Sequence, residues 1–382
     1  MDKTTVGNLC KPYVGQLRLD DDTLIDYFDI SSVDNIEKRI TGYTTYTFAK
    51  APSRARKQVK KGDILVSTVR PNLNAVALFD KETKNTPVVS TGLCVLECKA
   101  DTSPRFLLRY LQSKSFVRAM VSQATGASYP AVSDKIVRDA QIPAYSYDEQ
   151  IQIANVLDAT ANIISKQKQQ LQKLDDLVKA RFVELFGDGN HPHIALIDLI
   201  IEGAGLSYGI VQPGDDGTGD MGVLRPVDMV DGKISTASIK YIDRSIGDGF
   251  KKTELYGDEL LITVRGTTGI TALTDIRFNG MNVTRGIAVV RYDRNKINPV
   301  YLNAYLNTDE SQRYIQEHTR GATLQQINLS DLRVQQIMVP PLALQEQMAA
   351  FIEQIDKSKA VIQKALDEAQ LLFDSLMQKY FG

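Results

Sequence analysis

The sequence lacks long apolar runs, an excess of charge of either sign, and more than a few cysteines or histidines. No stretch approaches the roughly 18 apolar residues that a membrane-spanning helix needs, and the opening MDKTTVGNLCKPY has neither the basic nor the apolar region of a signal peptide. We therefore expect a cytoplasmic protein with no membrane contact. The formal net charge of -1 argues against a uniformly basic, nucleic-acid-coating protein, so any DNA contact must be a local patch.

The three cysteines, Cys10, Cys94 and Cys98, give little support for a metal site or a disulfide. In the segment LCVLEC, the spacing places Cys94, Leu96 and Cys98 on one face of a strand. No second pair of Cys or His residues stands at the spacing of metal ligands. The pattern therefore predicts buried thiols.

Two long helical stretches are the most regular feature of the sequence. Residues 147–187 contain no proline and no glycine before the last residue, and residues 342–382 are similarly uninterrupted. Apolar residues recur every seven positions, which is typical of a helix that packs lengthwise on another helix. The first stretch has one such row: Leu157, Ile164, Leu171, Val178 and Leu185. The second has two rows: Ile352, Lys359, Leu366, Phe373 and Tyr380, and Ile355, Ile362, Ala369 and Leu376.

The chain also contains an internal repeat. KGDILVSTVRP at 61–71 returns as YGDELLITVRG at 256–266, and TGAS at 125–128 returns as RGAT at 320–323. Each copy continues through a Ser-Asp turn and a strand that ends in proline to one of the long helices. By contrast, residues 1–60 and 188–255 differ, and the second segment contains PGDDGTGD, which predicts an exposed loop. Two duplicated units therefore share a framework and differ in content.

Each unit is predicted to be mixed α and β. In the first, ILVSTV, AVALF and VVSTGLCVLEC predict strands, and Ser103 caps a predicted helix over SPRFLLRYLQSKSFVRAM. In the second, ELLITV, GITAL and NVTRGIAVV predict strands, and Asn298-Pro299 opens a helix over NPVYLNAYLNTDESQRYIQEH. The 382 residues are enough for two or three such domains.

These sequence segments together resemble the specificity subunit of a type I restriction and modification system. The resemblance covers almost the whole chain, including PSRARKQVKKGDILVSTVRPN, GDELLITVRGTTG and the two helices that begin with EQ and end in FG. It implies a fold of α/β (mixed α+β) class, in which two pseudo-repeated globular target recognition domains are separated by two long helices forming an antiparallel coiled coil. The implied boundaries are 1–146 for the first recognition domain, 147–187 for the first helix, 188–341 for the second domain and 342–382 for the second helix.

The resemblance also implies a non-catalytic subunit with defined partners. Each recognition domain would read one half of a split sequence in double-stranded DNA, and the helices would dock two methyltransferase subunits. Those subunits would carry S-adenosylmethionine and methylate adenine, so no cofactor is expected in this chain. Motor and nuclease subunits would join the complex when the system restricts.

The basic segment KAPSRARKQVKK holds the first candidate DNA contacts, although a solvated loop is the alternative interpretation. Arg54 and Arg56 are candidates for base contact because a guanidinium can engage guanine through two hydrogen bonds. Lys57 and Lys60 are candidates for phosphate contact, and Ser53 is a further polar candidate.

Further candidates lie in the repeated framework. Arg70 and Arg265 close the same strand in both copies, so phosphate positioning is favoured over base reading, with an internal salt bridge to Asp63 or Asp258 as the alternative. The turn after each strand and the Gly-Ala loops add polar groups, for which a plain turn is the alternative. The remaining candidates are Asn72, Ser128, Tyr129, Thr267, Thr268, Arg285, Arg320, Thr323 and Gln325.

Three other functions are alternatives to DNA recognition. A helix-paired scaffold without DNA specificity is the main rival. A methyltransferase is disfavoured because no Asn-Pro-Pro-Tyr type string occurs, and the only double proline, Pro340-Pro341, precedes a helix. A nuclease built on Asp63, Glu82 and Lys84 is disfavoured because the second copy does not keep that spacing.

Overall fold

The computed structural model describes residues 2–13, 17–212, 214, 219–230 and 232–382, and the chain divides into two compact units. Unit 1 comprises residues 1–169 and 363–382, and unit 2 comprises residues 170–362. Most of the predicted PGDDGTGD loop lies outside the described residues.

Unit 1 begins with strand β1 (Lys3–Thr5) and the short helix α1 (Val6–Leu9). Its next strands are β2 (Leu24–Phe28), β3 (Thr44–Thr47), β4 (Ala55–Gln58), β5 (Ile64–Ser67), β6 (Val76–Leu78), β7 (Thr86–Ser90) and β8 (Leu93–Leu96). The remaining elements are α2 (Pro104–Leu111), α3 (Lys114–Gln123), α4 (Asp134–Asp139), β9 (Gln141–Pro143) and α5 (Tyr147–Phe186).

The strands of unit 1 form three small sheets. One is antiparallel with the order β6-β5-β8, a second has the order β3-β2-β7-β4, and β1 pairs with β9. The predicted strand VVSTGLCVLEC is wrong as a single element: a turn at Thr91-Gly92 divides it into β7 and β8, which belong to different sheets. Cys94, Leu96 and Cys98 pack into the same apolar core, which confirms that they share a face.

Unit 2 begins with β10 (His193–Ala195), β11 (Ser207–Tyr208), β12 (Met221–Leu224), β13 (Met229–Val230), β14 (Lys233–Ile234) and β15 (Lys240–Ile242). After α6 (Arg244–Gly247) come β16 (Leu260–Thr263), β17 (Thr271–Leu273), β18 (Asn282–Val283) and β19 (Ile287–Val290). The unit ends with α7 (Pro299–Leu306), α8 (Asp309–His318), α9 (Leu329–Val334), β20 (Gln336–Met338) and α10 (Leu342–Phe381).

The sheets of unit 2 follow the same plan as those of unit 1. β17-β16-β19 repeats the antiparallel order β6-β5-β8, with β11 added at its edge, and β10 pairs with β20 as β1 pairs with β9. A parallel pair, β12 with β18, corresponds to the parallel pair of β2 with β7. The duplication inferred from the sequence is therefore a duplication of topology, with the differences concentrated in the segments before β5 and β16.

Each predicted amphipathic helix is wrong as a single helix, because the structure has two in each place. Ser113 interrupts the first stretch: its hydroxyl accepts a hydrogen bond from the Phe116 N–H and caps a new helix, α3. In unit 2, the hydroxyl of Thr308 accepts from the Ser311 N–H and caps α8 in the same way. Such a side chain satisfies an N–H that the first turn of a helix leaves without a partner.

The long helices α5 and α10 each contain 40 residues, which confirms the uninterrupted helices predicted from the sequence. In unit 1, Leu157 near the start of α5 shares a core with Phe381 at the end of α10. In unit 2, Phe186 at the end of α5 shares a core with Met348 near the start of α10. The helices therefore run antiparallel, and all residues of the predicted rows are buried or half-buried. Within the described residues, no helix is both long and apolar enough to cross a membrane.

Candidate nucleic-acid interface

Arg70 follows β5 and adopts a left-handed backbone conformation, with φ 50° and ψ 60°. Few residues other than glycine adopt this conformation, which costs about 1 kcal/mol or more and is often associated with function. The Arg70 N–H donates to the Pro130 carbonyl oxygen at 2.7 Å, and its guanidinium lies 5.0 Å from the centroid of the Tyr129 ring. Tyr129 is 69% exposed, and Asn72 is exposed beside it. The end of β5 and the first Gly-Ala loop thus form one exposed surface.

Unit 2 builds the corresponding surface, but the predicted equivalence of Arg70 and Arg265 is wrong by one residue. Gly266 takes the backbone position of Arg70, and Arg265 bridges Gln326 as Val69 bridges Ala131. The Gly266 N–H donates to the Gln325 carbonyl oxygen at 2.9 Å. Arg320 and Thr323 are exposed on the same loop, where the Arg320 guanidinium lies 3.8 Å from the carboxylate of Asp331.

We call these surfaces the two loop edges. The first comprises residues 53–54, 70–72, 90–92 and 125–131, and the second comprises residues 210, 265–268, 284–286 and 320–326. Four backbone hydrogen bonds connect each edge in the same pattern. In the first they run from Thr91 N to Arg54 O, Thr68 N to Gly92 O, Val132 N to Thr68 O and Arg70 N to Pro130 O. In the second they run from Arg285 N to Ile210 O, Val264 N to Gly286 O, Ile327 N to Val264 O and Gly266 N to Gln325 O.

The basic segment before β5 contributes its residues unequally. Ser53 and Arg54 are exposed at the first loop edge, and in the described part of the chain the Arg54 side chain has no ion pair. Arg56 is half-buried, donates to the Ala55 carbonyl oxygen at 2.8 Å and lies over the Phe48 ring.

The lysines of this segment are held by neighbouring acceptors. The Lys57 ammonium pairs with Asp134 and donates to the Leu93 carbonyl oxygen at 2.8 Å, and its side chain is only 12% exposed. The Lys60 ammonium lies 2.6 Å from Glu97 but remains exposed, and the hydrogen bond that it donates to Glu97 raises the pKa of Lys60. Lys57 therefore has a structural role, whereas Lys60 remains available to a phosphate.

The candidates of the second loop edge also differ in accessibility. Thr267, Arg285 and Gln325 are exposed. Thr268 is only 4% exposed, and its hydroxyl forms a 3.0 Å hydrogen bond with that of Thr319. Its side chain fastens the turn to the end of α8 rather than facing solvent. In the first edge, Ser128 is exposed beside Tyr129.

The alternative interpretation of the framework arginines was an internal salt bridge. Asp63 instead accepts the Lys60 N–H at 2.9 Å, and burial raises the pKa of its carboxyl. Asp258 pairs with Arg294. Across the described ranges, neither Arg70 nor Arg265 forms an ion pair, so both keep their charge available.

The residues of the disfavoured nuclease pattern lie apart. Glu82 pairs with Lys61, while Asp63 is buried. Among the residues that the structure describes, no cluster of His, Cys, Asp and Glu could hold a metal ion.

Sequence reasoning missed two residues that build the loop edges. Lys38 donates from its ammonium to the carbonyl and the side-chain oxygen of Asn74, which is itself left-handed, and thereby fixes the turn after Arg70. In unit 2 the carbonyl oxygen of Ile210 accepts the backbone hydrogen bond that corresponds to the one Arg54 accepts, but Ile210 pairs parallel to its partner segment, whereas the segment after Arg54 pairs antiparallel. The sequence around Ile210 gives no sign of this contact. A left-handed Asn near a turn is a recognisable signal, but the partner 36 residues away is not.

Two loop edges with a common backbone and different side chains, on a duplicated α/β framework joined by paired helices, define a modular recognition protein. The sequence profile described as Type I restriction modification DNA specificity domain matches residues 18–175 and 220–370. The chain belongs to this family, whose members supply sequence specificity rather than catalysis.

Individual specificity subunits are also similar to this chain in sequence. The chain is 21% identical over 327 residues to the Type I restriction enzyme EcoBI specificity subunit of Escherichia coli, a match that spans 77% of this chain and 68% of that one. It is 28% identical over 140 residues to the HindI specificity subunit of Haemophilus influenzae, spanning 36% of this chain and 30% of the relative.

Solved structures show the same fold. A type I restriction-modification S subunit from M. genitalium matches with a TM-score of 0.60 at 16% identity, covering 100% of this chain and 96% of that one. A chain from a study of complex assembly and conformational transition in a type I R-M system matches with a TM-score of 0.58 at 21% identity, covering 100% and 97%.

Proposed function

We propose that this chain reads a bipartite sequence in double-stranded DNA, one half with each loop edge, and directs adenine methylation by partner subunits. The observation that supports this proposal is the common backbone of the two edges with different side chains upon it. A shared backbone would meet the phosphates of both half-sites alike, while side chains that differ would read different bases.

Within this proposal, the framework arginines position DNA. Arg70 and Arg265 each follow the same strand of their unit, although Gly266 rather than Arg265 makes the backbone hydrogen bond that corresponds to that of Arg70. A guanidinium without an internal ion pair suits a phosphate oxygen. We propose that bases are read by residues that differ between the two edges at corresponding positions. The pairs, with the residue of the first edge given first, are Arg54 and Ile210, Thr91 and Arg285, Ser128 and Thr323, and Tyr129 and Leu324.

The long helices are the proposed docking surface for two methyltransferase subunits. In unit 1, Ile163, Leu371 and Leu372 are at least 50% exposed on α5 and α10. In unit 2, Val183 and Val361 are 66% and 71% exposed. Exposed apolar side chains on a helix pair suit a protein partner. The partners would supply S-adenosylmethionine and the transfer chemistry, and motor and nuclease subunits would join them for restriction.

Two measurements test the proposal. Methylome sequencing with and without this gene should lose one bipartite adenine-methylated motif when the gene is absent. Calorimetry should find no S-adenosylmethionine binding to the chain alone, and binding by its complex with a methyltransferase subunit. An unchanged methylome, or stoichiometric cofactor binding to the isolated chain, would overturn it.

The rival scaffold function rests on the same exposed apolar residues, which would serve any helical partner. The two functions differ in their need for DNA. A scaffold complex would bind duplexes of any sequence alike or not at all, whereas the proposed complex should shift its target duplex in a salt-dependent manner and discriminate against single-base variants.

A further inference from the structure

Cys10 and Cys98 lie directly opposite each other in unit 1. They form an antiparallel β-bridge between the segment after α1 and the segment after β8. Two backbone hydrogen bonds flank the bridge: Lys11 N–H donates to the Glu97 carbonyl oxygen at 2.8 Å, and Lys99 N–H donates to that of Leu9 at 3.0 Å. Both thiols are free.

This hydrogen-bond pattern makes the two cysteines a non-hydrogen-bonded pair. The flanking residues exchange the bonds, and Cys10 and Cys98 face each other between them. In such a pair the Cα atoms lie about 4.5 Å apart with the side chains closer than in the other type of pair. A disulfide requires Cα atoms about 4.4 to 6.8 Å apart. The backbone therefore already holds the pair within disulfide range.

The side chains agree with the backbone. Both sulfurs pack into the same apolar core of unit 1. The contact with the Cys98 thiol, with Arg138 and Lys99 nearby, lowers the pKa of Cys10 despite the opposing effect of burial. The same contact raises the pKa of Cys98. Cys10 is buried, whereas Cys98 is partly exposed and gives solvent access to the pair.

Cys94 shows the contrast within the same strand. It lies opposite Val66 in the pairing of β5 with β8, so no cysteine faces it across that ladder. Burial raises its pKa to about 12, which leaves it a protonated, unreactive thiol. The structure thus distinguishes one cross-strand pair of cysteines from a third cysteine, four residues before Cys98, that has no cysteine opposite it in the sheet.

We propose that Cys10 and Cys98 form a reversible disulfide under oxidation by hydrogen peroxide, and that this bond fastens the N-terminal segment to the end of β8. The Cys10 thiolate attacks one peroxide oxygen, the O–O bond breaks, and the departing hydroxide takes a proton to become water. Cys98 then loses its proton and attacks the Cys10 sulfenic sulfur, displacing hydroxide, which becomes a second water. Two thiols are oxidised and one peroxide is reduced.

The cross-link would constrain most of the first loop edge. It would close a loop containing residues 11–97, which includes Arg54, Arg70 and the turn at Thr91-Gly92. A closed loop of this length restricts the unfolded chain strongly, so the oxidised protein should unfold at a higher temperature, by about 5 °C or more.

The experiment uses the full chain carrying Cys94→Ser, so that Cys10 and Cys98 are its only thiols. This variant is treated with hydrogen peroxide, alkylated and digested. We expect a decrease in intact mass equal to two hydrogens, a cross-linked pair of peptides containing Cys10 and Cys98, and reversal of both by dithiothreitol. Peroxide should also raise the midpoint of thermal unfolding of this variant.

Cys10→Ser and Cys98→Ser in the same background are the matched controls. Each should show no cross-link and no change in unfolding midpoint after peroxide. Sulfinic acid at either cysteine without a cross-link, disulfides only between molecules, or thiols that stay free at a peroxide excess would overturn the proposal. Wild-type chain gives a measurement independent of the Cys94 substitution, since its cross-link should include Cys98 and not Cys94.

Discussion

Arg54 and Lys60 belong to one basic segment, yet their surroundings differ. Arg54 is exposed at the first loop edge, whereas Lys60 is paired with Glu97. We expect Arg54→Ala to weaken specific binding by about 1 to 3 kcal/mol and relax one base position, because the contact proposed for Arg54 is to a base edge. Lys60→Ala should weaken all duplexes alike and reduce the salt dependence of binding.

Binding of the methyltransferase complex to a panel of single-base duplex variants measures both effects. Lys135→Ala is the matched control, because Lys135 is an exposed lysine that pairs with Asp139 outside the loop edges. Equal, sequence-independent losses for Arg54→Ala and Lys60→Ala would assign Arg54 to phosphate positioning.

Asp26 is a buried carboxylate that depends on its hydrogen bonds. Burial alone would raise its pKa, but the side chain and N–H of Asn85, the hydroxyl of Thr45 and the Lys84 N–H all donate to it, and the net pKa is lowered from 3.8. The carboxylate therefore contributes stability that is present above about pH 4 and is lost as the pH falls through the lowered value.

Asp26→Asn should lower stability at pH 7 by about 1 to 3 kcal/mol, since an amide NH₂ would face donor groups. The difference from wild type should narrow below about pH 4. Thermal unfolding at pH 7 and pH 3.5 measures this, with the exposed Asp80→Asn as control. A difference that stays constant with pH would show that the carboxylate charge is not the cause.

Single residues show the limit of reading a sequence locally. In the segment KAPSRARKQVKK, Arg54 and Lys60 are exposed, but the Lys57 ammonium is paired with Asp134, which is 77 residues away in the sequence. The Cys10 and Cys98 pair escaped prediction for the same reason. Partners that the fold brings together from distant parts of the chain leave no trace in local spacing.

At the scale of elements, the two Gly-Ala loops require glycine. Gly126 and Gly321 have φ of +98° and +99°. A Cβ at these positions would come within 2.9 Å of the Tyr129 carbonyl oxygen and 2.3 Å of the Leu324 carbonyl oxygen. Both the backbone conformation and the space exclude a side chain, so the glycines set the shape of the loops.

We expect Gly126→Ala and Gly321→Ala each to cost about 1 kcal/mol or more in stability and to weaken DNA binding by the complex, because the loop must move. Gly42→Ala and Gly249→Ala are the controls, since a Cβ at either meets nothing within 4 Å and neither residue has positive φ. Thermal unfolding and duplex binding test this. Full binding by both loop variants would remove the loops from the interface.

The long helices were the most predictable elements, because a period of seven sustained over 40 residues leaves few alternatives. The short helices were less predictable. The amphipathic pattern continues across Ser113, so it predicted one helix where α2 ends and α3 begins. The residue that caps α3, Ser113, lies within an otherwise helical sequence. The strand prediction was wrong for the same reason at Thr91-Gly92, where a turn separates two segments that both favour strand.

At the scale of the whole molecule, the two units do not coincide with the segments between the long helices. Unit 1 includes the start of α5 and the end of α10. Both Arg105 and Arg109 pair with Asp158 of α5, and the Ser115 hydroxyl donates to the Phe381 carbonyl oxygen at 2.7 Å. A recognition domain is therefore completed by helical segments from two distant parts of the chain.

This arrangement predicts different outcomes for two exchanges with a relative of different specificity. One chimera replaces residues 1–146 alone, and the other also replaces 147–169 and 363–382. Both should change one half of the methylated target and keep the other half and the spacer, because unit 2 is untouched. The first should unfold at a temperature lower by about 5 °C or more, since foreign residues must pack against Leu157, Asp158 and Phe381 of the host. Methylome sequencing and thermal unfolding of both chimeras test this. Changes in both half-sites would contradict one recognition domain per unit, and equal unfolding temperatures would show that the helical segments do not stabilise the domain they complete.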